Sequence, residues 1–558
     1  MRFLVSLFLS IIICACSVRN PPNKFSDPVL VKIYDLKDRR STDSLLQYLN
    51  SENLTHRQEA VLAFASVQDS MASQALGNIL LEDPDSRART CAAFALGQTG
   101  GFQAVNALIP ALEDSDREVV REVLEALGKT ILKKDFGILT NYQSGDTLLQ
   151  EGLAWACYRL ALRGKADSTI TNKVNGFLKP SFSFQTRLGA ASYFARSSRL
   201  TGDFFHEDLL KAGQLDPRPE VRIMAVAGFR NLPLVKILPI LKDLLKAEPD
   251  YRVRVSAIRA CNGFSLTETQ EIVFGGLNDS SEMVQVAASE VIRNWTDRNP
   301  LKRLDEDLKS AKSWRVRANL YGALLKSFPS DQVMEEIAAT YAAAPVYFKS
   351  GLLSALGEAQ GPQRKMAFEF LSKELQQEGQ EKVLLTSSAA ALTMLDKKSK
   401  DGLSKIEFLT VYKSAIAKGD AGVTGIVASA LTDTSLHYRQ QITDLQFLYS
   451  AKAKFVLPKD IESLEPLERA IAYLEGKEMP EQFKNEFNHP ISWEKVKTIA
   501  ADQRVELKTS RGVVVLRLLV EETPGSVANF INLTNSKYFD GKVFHRVVPN
   551  FVVQAGAA

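Results

Sequence analysis

Apolar residues recur three and four positions apart along most of this 558-residue chain, the spacing that lines one face of a helix. The runs Arg57-Gln-Glu-Ala-Val-Leu-Ala-Phe-Ala65, Arg89-Thr-Cys-Ala-Ala-Phe-Ala-Leu-Gly97 and Arg121-Glu-Val-Leu-Glu-Ala-Leu-Gly128 open on arginines 32 residues apart. Arg222 and Arg254 repeat that interval, and Gln285 and Arg317 carry the frame onward. Each unit holds an acidic or Ser-rich turn, such as Glu82-Asp-Pro-Asp-Ser86 or Glu113-Asp-Ser-Asp116, able to cap the next helix. The period predicts one pair of helices per unit. A single pair cannot bury its own apolar stripe, so consecutive pairs stack and share one extended core. The frame blurs over about 130–220 and after 330, where Tyr142-Gln-Ser-Gly145 and Lys179-Pro-Ser-Phe182 predict longer loops.

This grammar resembles short HEAT repeats. The resemblance implies a mainly α chain, a right-handed α-solenoid of helical hairpins over 38–440, with a concave face that can hold a protein partner. The recurring arginine could form a row of ligand contacts. In such repeats it more often bonds acidic or carbonyl groups of neighbouring turns, and the structural role is the preferred reading. Trp155, Trp295 and Trp314 are expected to fill the repeat core. His56, His206, His437 and His489 are too scattered to be metal ligands.

Composition narrows the class. With 45% apolar and 24% charged residues, the chain is neither disordered nor a polytopic membrane protein. A net charge of +4 and the lack of basic clusters with interleaved aromatics argue against nucleic acid as a partner. Arg2 precedes an apolar run ending at Ile13, and Ile13-Cys14-Ala15-Cys16-Ser17 follows. That resembles a bacterial lipoprotein signal, which implies a 1–15 leader, lipid on Cys16, a 16–37 tether and a periplasm-facing membrane location, the outer membrane above the inner. Cys91, Cys157 and Cys261 lack paired spacing and are expected to be small buried hydrophobes.

The grammar changes near 440. A partly helical connector, 441–502, is broken by Pro458, Pro466, Pro480 and Pro490. Then Val505–Gly512 and Val513–Val520 predict a hairpin, Ser526–Thr534 a helix opened by Pro524, and Lys542–Val548 and Phe551–Gln554 short strands around Pro549-Asn550. Thr523-Pro-Gly-Ser-Val-Ala-Asn-Phe530, Tyr538-Phe-Asp-Gly541 and above all Phe544-His-Arg-Val-Val-Pro-Asn-Phe-Val-Val-Gln554 resemble the beginning of a cyclophilin-type peptidyl-prolyl isomerase. The resemblance covers 503–558 and implies a closed eight-stranded barrel of which this stretch is an incomplete, truncated portion. It also implies Arg546 as the catalytic guanidinium, Phe551 and Val552 as walls of a proline pocket, and Gln554 as a clamp on the peptide backbone. Val552 stands where the family commonly has Met, and Ala555-Gly556-Ala557 where it continues Gly-Gly-Asp.

Those residue types suit rotation about an X-Pro bond, which breaks no covalent bond and must cross a barrier of about 18–20 kcal/mol. No metal or cofactor is required. A permanently charged guanidinium can donate to the proline nitrogen as conjugation is lost, and Gln554 can hold the backbone without changing charge. Adjacent strand residues face opposite ways, so His545 cannot share the pocket with Arg546. The expected function is prolyl isomerisation of exported, proline-containing or unfolded clients by the complete protein, with weak or no activity in these 558 residues. The competing expectation is a non-catalytic, protein-binding scaffold lipoprotein.

Overall fold

The computed structural model describes residues 22–197, 207–295, 304–398, 402–457, 459–478 and 489–556. The segment read as a leader and Cys16, read as a lipid acceptor, lie outside these, as do His206, Pro458 and Pro480. The chain forms two compact units: 1–156 with 486–544 and 554–558, and 157–485 with 545–553. The protein is a mainly helical solenoid of stacked helical hairpins, followed by two small strand pairs. No helix among the described residues is long and apolar enough to cross a membrane.

In the first unit, helix Leu54–Val67 packs on Ser86–Thr99, which packs on Arg117–Thr130. In the second, one layer runs Phe184–Arg196, Pro219–Gly228, Tyr251–Ala260, Glu282–Asn294, Trp314–Ser327, Val346–Leu356, Lys382–Lys397, Ala421–Leu431 and Ile461–Glu475, each on the next. The other helix of each hairpin packs against this layer. Small residues set the spacing. Gly128 lies against the next helix so closely that a Cβ would come within 2.3 Å of the Ala156 carbonyl oxygen, so the Ala-Leu-Gly ending is a packing requirement.

The recurring arginine is a latch. Its helix begins four residues earlier, at an N-cap of Asn53, Asp85, Ser183, Arg218 or Asp250 for Arg57, Arg89, Arg187, Arg222 or Arg254. Nε and Nη2 grip the carboxylate at the next turn: Arg57 takes Asp83 at 2.6 and 3.1 Å, Arg89 takes Asp114 at 2.7 and 2.9 Å, and Arg254 takes Asp279 at 2.8 and 2.8 Å. Arg187 with Asp216 and Arg222 with Glu248 repeat the fork. Nη1 donates to a backbone carbonyl of the preceding turn, Ser51, Asp83, Phe182, Asp216 or Glu248. The same carboxylate accepts the N–H of the next N-cap residue, as Asp83 does from Asp85 at 2.9 Å. One side chain thus ties the turn before its helix to the next one.

Arg121 departs from the expected frame. Its helix is capped by Asp116, so Arg121 is one position late and Val120 occupies the latch position. It pairs instead with Glu118, Glu122 and Glu125 of its own helix. Trp295 is buried, whereas Trp314 is 36% exposed and packs its ring over Gly351, a half-open position rather than the expected core one.

Candidate functional site

β1 (Arg504–Thr509) and β2 (Gly512–Arg517) form an antiparallel ladder in register Arg504↔Arg517 to Thr509↔Gly512. Gly512 has φ 130°, a turn conformation glycine tolerates without a Cβ penalty. Helix Pro524–Asn535 follows, with Val527 and Ala528 buried. β3 (Phe544–Val548) and β4 (Val552–Ala555) make a second ladder, and Asn550 in the turn between them is left-handed at φ 63°. That turn is held on helix Tyr251–Ala260: Asn550 Nδ2 donates to the Arg252 carbonyl at 3.1 Å, and Arg259 Nη1 donates to the Pro549 carbonyl at 3.3 Å. The ladders are separate pairs, and the described strands do not close a barrel.

The four tail residues picked out from sequence fall on β3, β4 and the turn before β4. The Arg546 guanidinium lies 5.8 Å from the Phe551 ring centroid, a cation–π distance. Phe551 is 69% exposed, Val552 half-buried and Gln554 exposed. His545 is half-buried, opposite to exposed Arg546, as strand alternation demands. Its Nδ1 is enclosed with no hydrogen-bond partner. The arrangement offers a fixed positive charge beside an aromatic face. It also leaves that face open to water.

The start of this portion is gripped by the beginning of the chain. Asn23 Nδ2 donates to the carbonyls of Val496 and Ile499, both at 2.7 Å, and the Lys24 N–H donates to Glu521 Oε1 at 2.7 Å. The Tyr34 hydroxyl donates to the Glu521 carbonyl at 3.0 Å or to Glu59 Oε2 at 2.9 Å. Burial, then the neighbouring Glu59 charge, raises the Tyr34 hydroxyl far above the ordinary phenol range, so it stays a donor. Phe25 packs between Tyr34, edge to face, and Trp493, tilted, at centroid distances of 4.9 and 5.2 Å. Sequence reasoning missed this clasp.

The three described cysteines are free thiols. Burial pushes Cys91 up to about 11 and Cys157 and Cys261 to about 12, so none is a nucleophile near neutrality. Among the described residues no three His, Cys, Asp or Glu side chains gather as metal ligands.

Two families match parts of the chain: HEAT repeats over 42–128, and cyclophilin type peptidyl-prolyl cis-trans isomerase/CLD over 504–558. The tail is similar to peptidyl-prolyl cis-trans isomerase ppi1 of Schizosaccharomyces pombe, 46% identical over 52 residues, 9% of this chain and 34% of that protein. It is also similar to the spliceosome-associated protein CWC27 homolog of Danio rerio, 47% over 53 residues, 10% and 11% of the two. Peptidyl-prolyl cis-trans isomerase cyp18 of Streptomyces antibioticus shares 46% over 52 residues, 9% of this chain and 31% of its own. The chain therefore spans at most about a third of the length of these relatives.

Among solved structures, the chain is similar to Kap121p bound to Nup53p, with TM-score 0.44, 15% identity and 82% and 58% coverage of the two chains. Yeast importin-beta (Kap95p) gives TM-score 0.41, 12% identity, and 77% and 61% coverage. Likeness this loose carries no functional argument. It does run against one expectation. The solved structures it resembles are those of Kap121p bound to Nup53p and of yeast importin-beta. The periplasm-facing membrane location read from the leader is corrected accordingly, and no location is assigned.

Proposed function

We propose that the chain is a protein-binding helical scaffold whose tail presents a cyclophilin-type, proline-recognising hairpin with its aromatic face open. The observation that carries this reading is the exposure of Phe551, 69%. Favouring a twisted amide requires a proline ring held against apolar walls, with water excluded from the guanidinium that donates to its nitrogen. Here Arg546 and Phe551 share one open side, so a proline can stack on the ring and its preceding carbonyl can meet the charge. Binding energy is available, but little of it can be directed to distortion. Gln554 would hold the peptide backbone, and the solenoid would hold the remainder of the client.

Isomerase activity is the second reading. It is favoured by the run Phe544–Gln554, which keeps Arg546, Phe551 and Gln554 together, and by the family match over 504–558. The role for exported clients rested on the envelope location and is dropped with it. Titration with a labelled Ala-Pro tetrapeptide and its Ala-Ala counterpart tests the scaffold reading. The expected result is saturable binding of the prolyl peptide, weakened about tenfold by Phe551→Ala, a loss on the scale of one aromatic contact. Equal binding of both peptides would overturn it.

A further inference from the structure

The latch follows one rule in the five repeats that form it, and Arg317 is an arginine that keeps the position without the acid. The arginine stands four residues after its N-cap, and its carboxylate stands two residues before the next N-cap: Asp83 before Asp85, Asp114 before Asp116, Asp216 before Arg218, Glu248 before Asp250 and Asp279 before Ser281. In the repeat of helix Glu282–Asn294 the acid position is Ala311, before N-cap Ser313. There the latch residue is neutral Gln285, which keeps only the backbone half, donating to the Asp279 carbonyl at 2.7 Å. Loss of the acid is matched by loss of the charge.

Arg317 is not matched. It stands four after N-cap Ser313, and the next helix is capped by Pro345, so the acid position is Ala343. Pro345 has no N–H that a carboxylate there would accept. Among the described residues Arg317 has no carboxylate within ion-pair range and its guanidinium rests 5.3 Å from the Phe348 ring. It lines a cleft of about 790 Å³. Tyr321, Leu324, Phe328 and Val333 supply apolar wall, and Lys309 adds a second positive charge. Asp305 and Glu336 also line the cleft, but neither pairs with Arg317, and Glu336 accepts from Gln332 at 3.0 Å.

We propose that this cleft is a docking site for an extended acidic peptide, whose carboxylate takes the fork left vacant at Arg317 while a neighbouring apolar side chain enters beside Tyr321 and Leu324. The geometry the guanidinium would offer is the one its counterparts make to Asp83, Asp114 and Asp279 inside the same chain. A planar fork is selective for a carboxylate over an amide of the same shape. The proposal rests on the scaffold reading for a peptide as the ligand class. It is separable from the prolyl hairpin because it concerns a different ligand group and different residues.

The test uses the full chain and amidated heptapeptides with Leu or Phe flanks and a central Glu or Gln, together with free-acid forms of the Gln set. Fluorescence anisotropy should show the Glu or free-acid members binding about tenfold more tightly than their neutral mates, the discrimination expected of a charge-assisted bond. Comparing the two arms tells a side-chain carboxylate from a terminal one. Arg317→Gln should abolish the discrimination. Ala343→Asp, which returns the missing internal acid, should abolish it while raising the melting temperature, a readout that separates occupancy of the fork from misfolding. Equal binding of charged and neutral peptides by the unaltered chain, or discrimination that survives Ala343→Asp, would overturn the proposal. Neither outcome depends on whether Ala-Pro peptides bind the tail.

Discussion

An arginine one turn into a helix can reach forward to the next turn and back to the preceding one, and in this array five of them do both. Arg187 and Asp216 are the most enclosed pair, with side chains 8% and 3% exposed. Replacing Arg187 by Gln leaves Asp216 desolvated without its counter-charge. The cost should be about 3 kcal/mol, read as faster hydrogen exchange across Phe184–Arg196 and Pro219–Gly228. Arg87, 69% exposed beside Asp85, is the control: Arg87→Gln should leave the melting temperature unchanged, because an exposed pair is screened. The 32-residue interval was legible at Arg57 and Arg89 and again at Arg222 and Arg254, whereas Arg187, 35 residues before Arg222, falls where the frame blurs. The phase slip at Arg121 was not legible, since an N-cap one residue early is set by how Asp116 meets its own turn.

Acid sensitivity also belongs to single residues. A hydrogen bond from Lys397, then bonds from Ser435, lower Asp433 to about 2. A carboxyl held below its unfolded value of about 3.9 contributes stability above that pH and loses it as the pH falls toward 2. The melting temperature should therefore fall between about pH 4 and pH 2, and Asp433→Asn should flatten part of that slope. A slope unchanged by the substitution would remove Asp433 from the account.

At the scale of elements, the tail was read from extended runs split by turns and a helix opened by Pro524. Strand, strand, helix, strand, strand is what the structure contains. Sequence also placed His545 and Arg546 on opposite sides, because strand geometry leaves no other choice. What these runs could not reveal is which faces stay uncovered. Val513, Val514 and Val515 of β2 are 59%, 46% and 55% exposed, so apolar residues on both faces of that strand meet water. The clasp at Asn23 was equally hidden, because its partner Val496 lies 473 positions away and no local pattern encodes such a pairing. Asn23→Ala removes three buried hydrogen bonds, two to the Val496 and Ile499 carbonyls and one from the Phe25 N–H, and should cost about 3 kcal/mol locally. Hydrogen exchange over Trp493–Ala500 should accelerate, with the repeats from Tyr251 onward unaffected. Uniform acceleration throughout would contradict a local clasp.

For the whole molecule, the two halves of the reading differ in kind. The repeats were recognisable because a solenoid writes its period into the sequence, and the structure bears out a mainly helical, stacked architecture. The tail was recognisable through a dense run of family-like residues, yet whether those residues catalyse depends on enclosure, which a motif does not encode. Phe551 and Arg546 illustrate the limit: each has the identity the resemblance asks for, and their common face is open.

The most direct test of the account is exchange NMR on an Ala-Pro tetrapeptide with a catalytic amount of the full chain. Cis–trans exchange should stay on the uncatalysed scale of tens of seconds, even at concentrations where the peptide binds. Exchange brought into the sub-second range by the unaltered chain, and lost in Arg546→Ala, would contradict the account and make the tail a working isomerase.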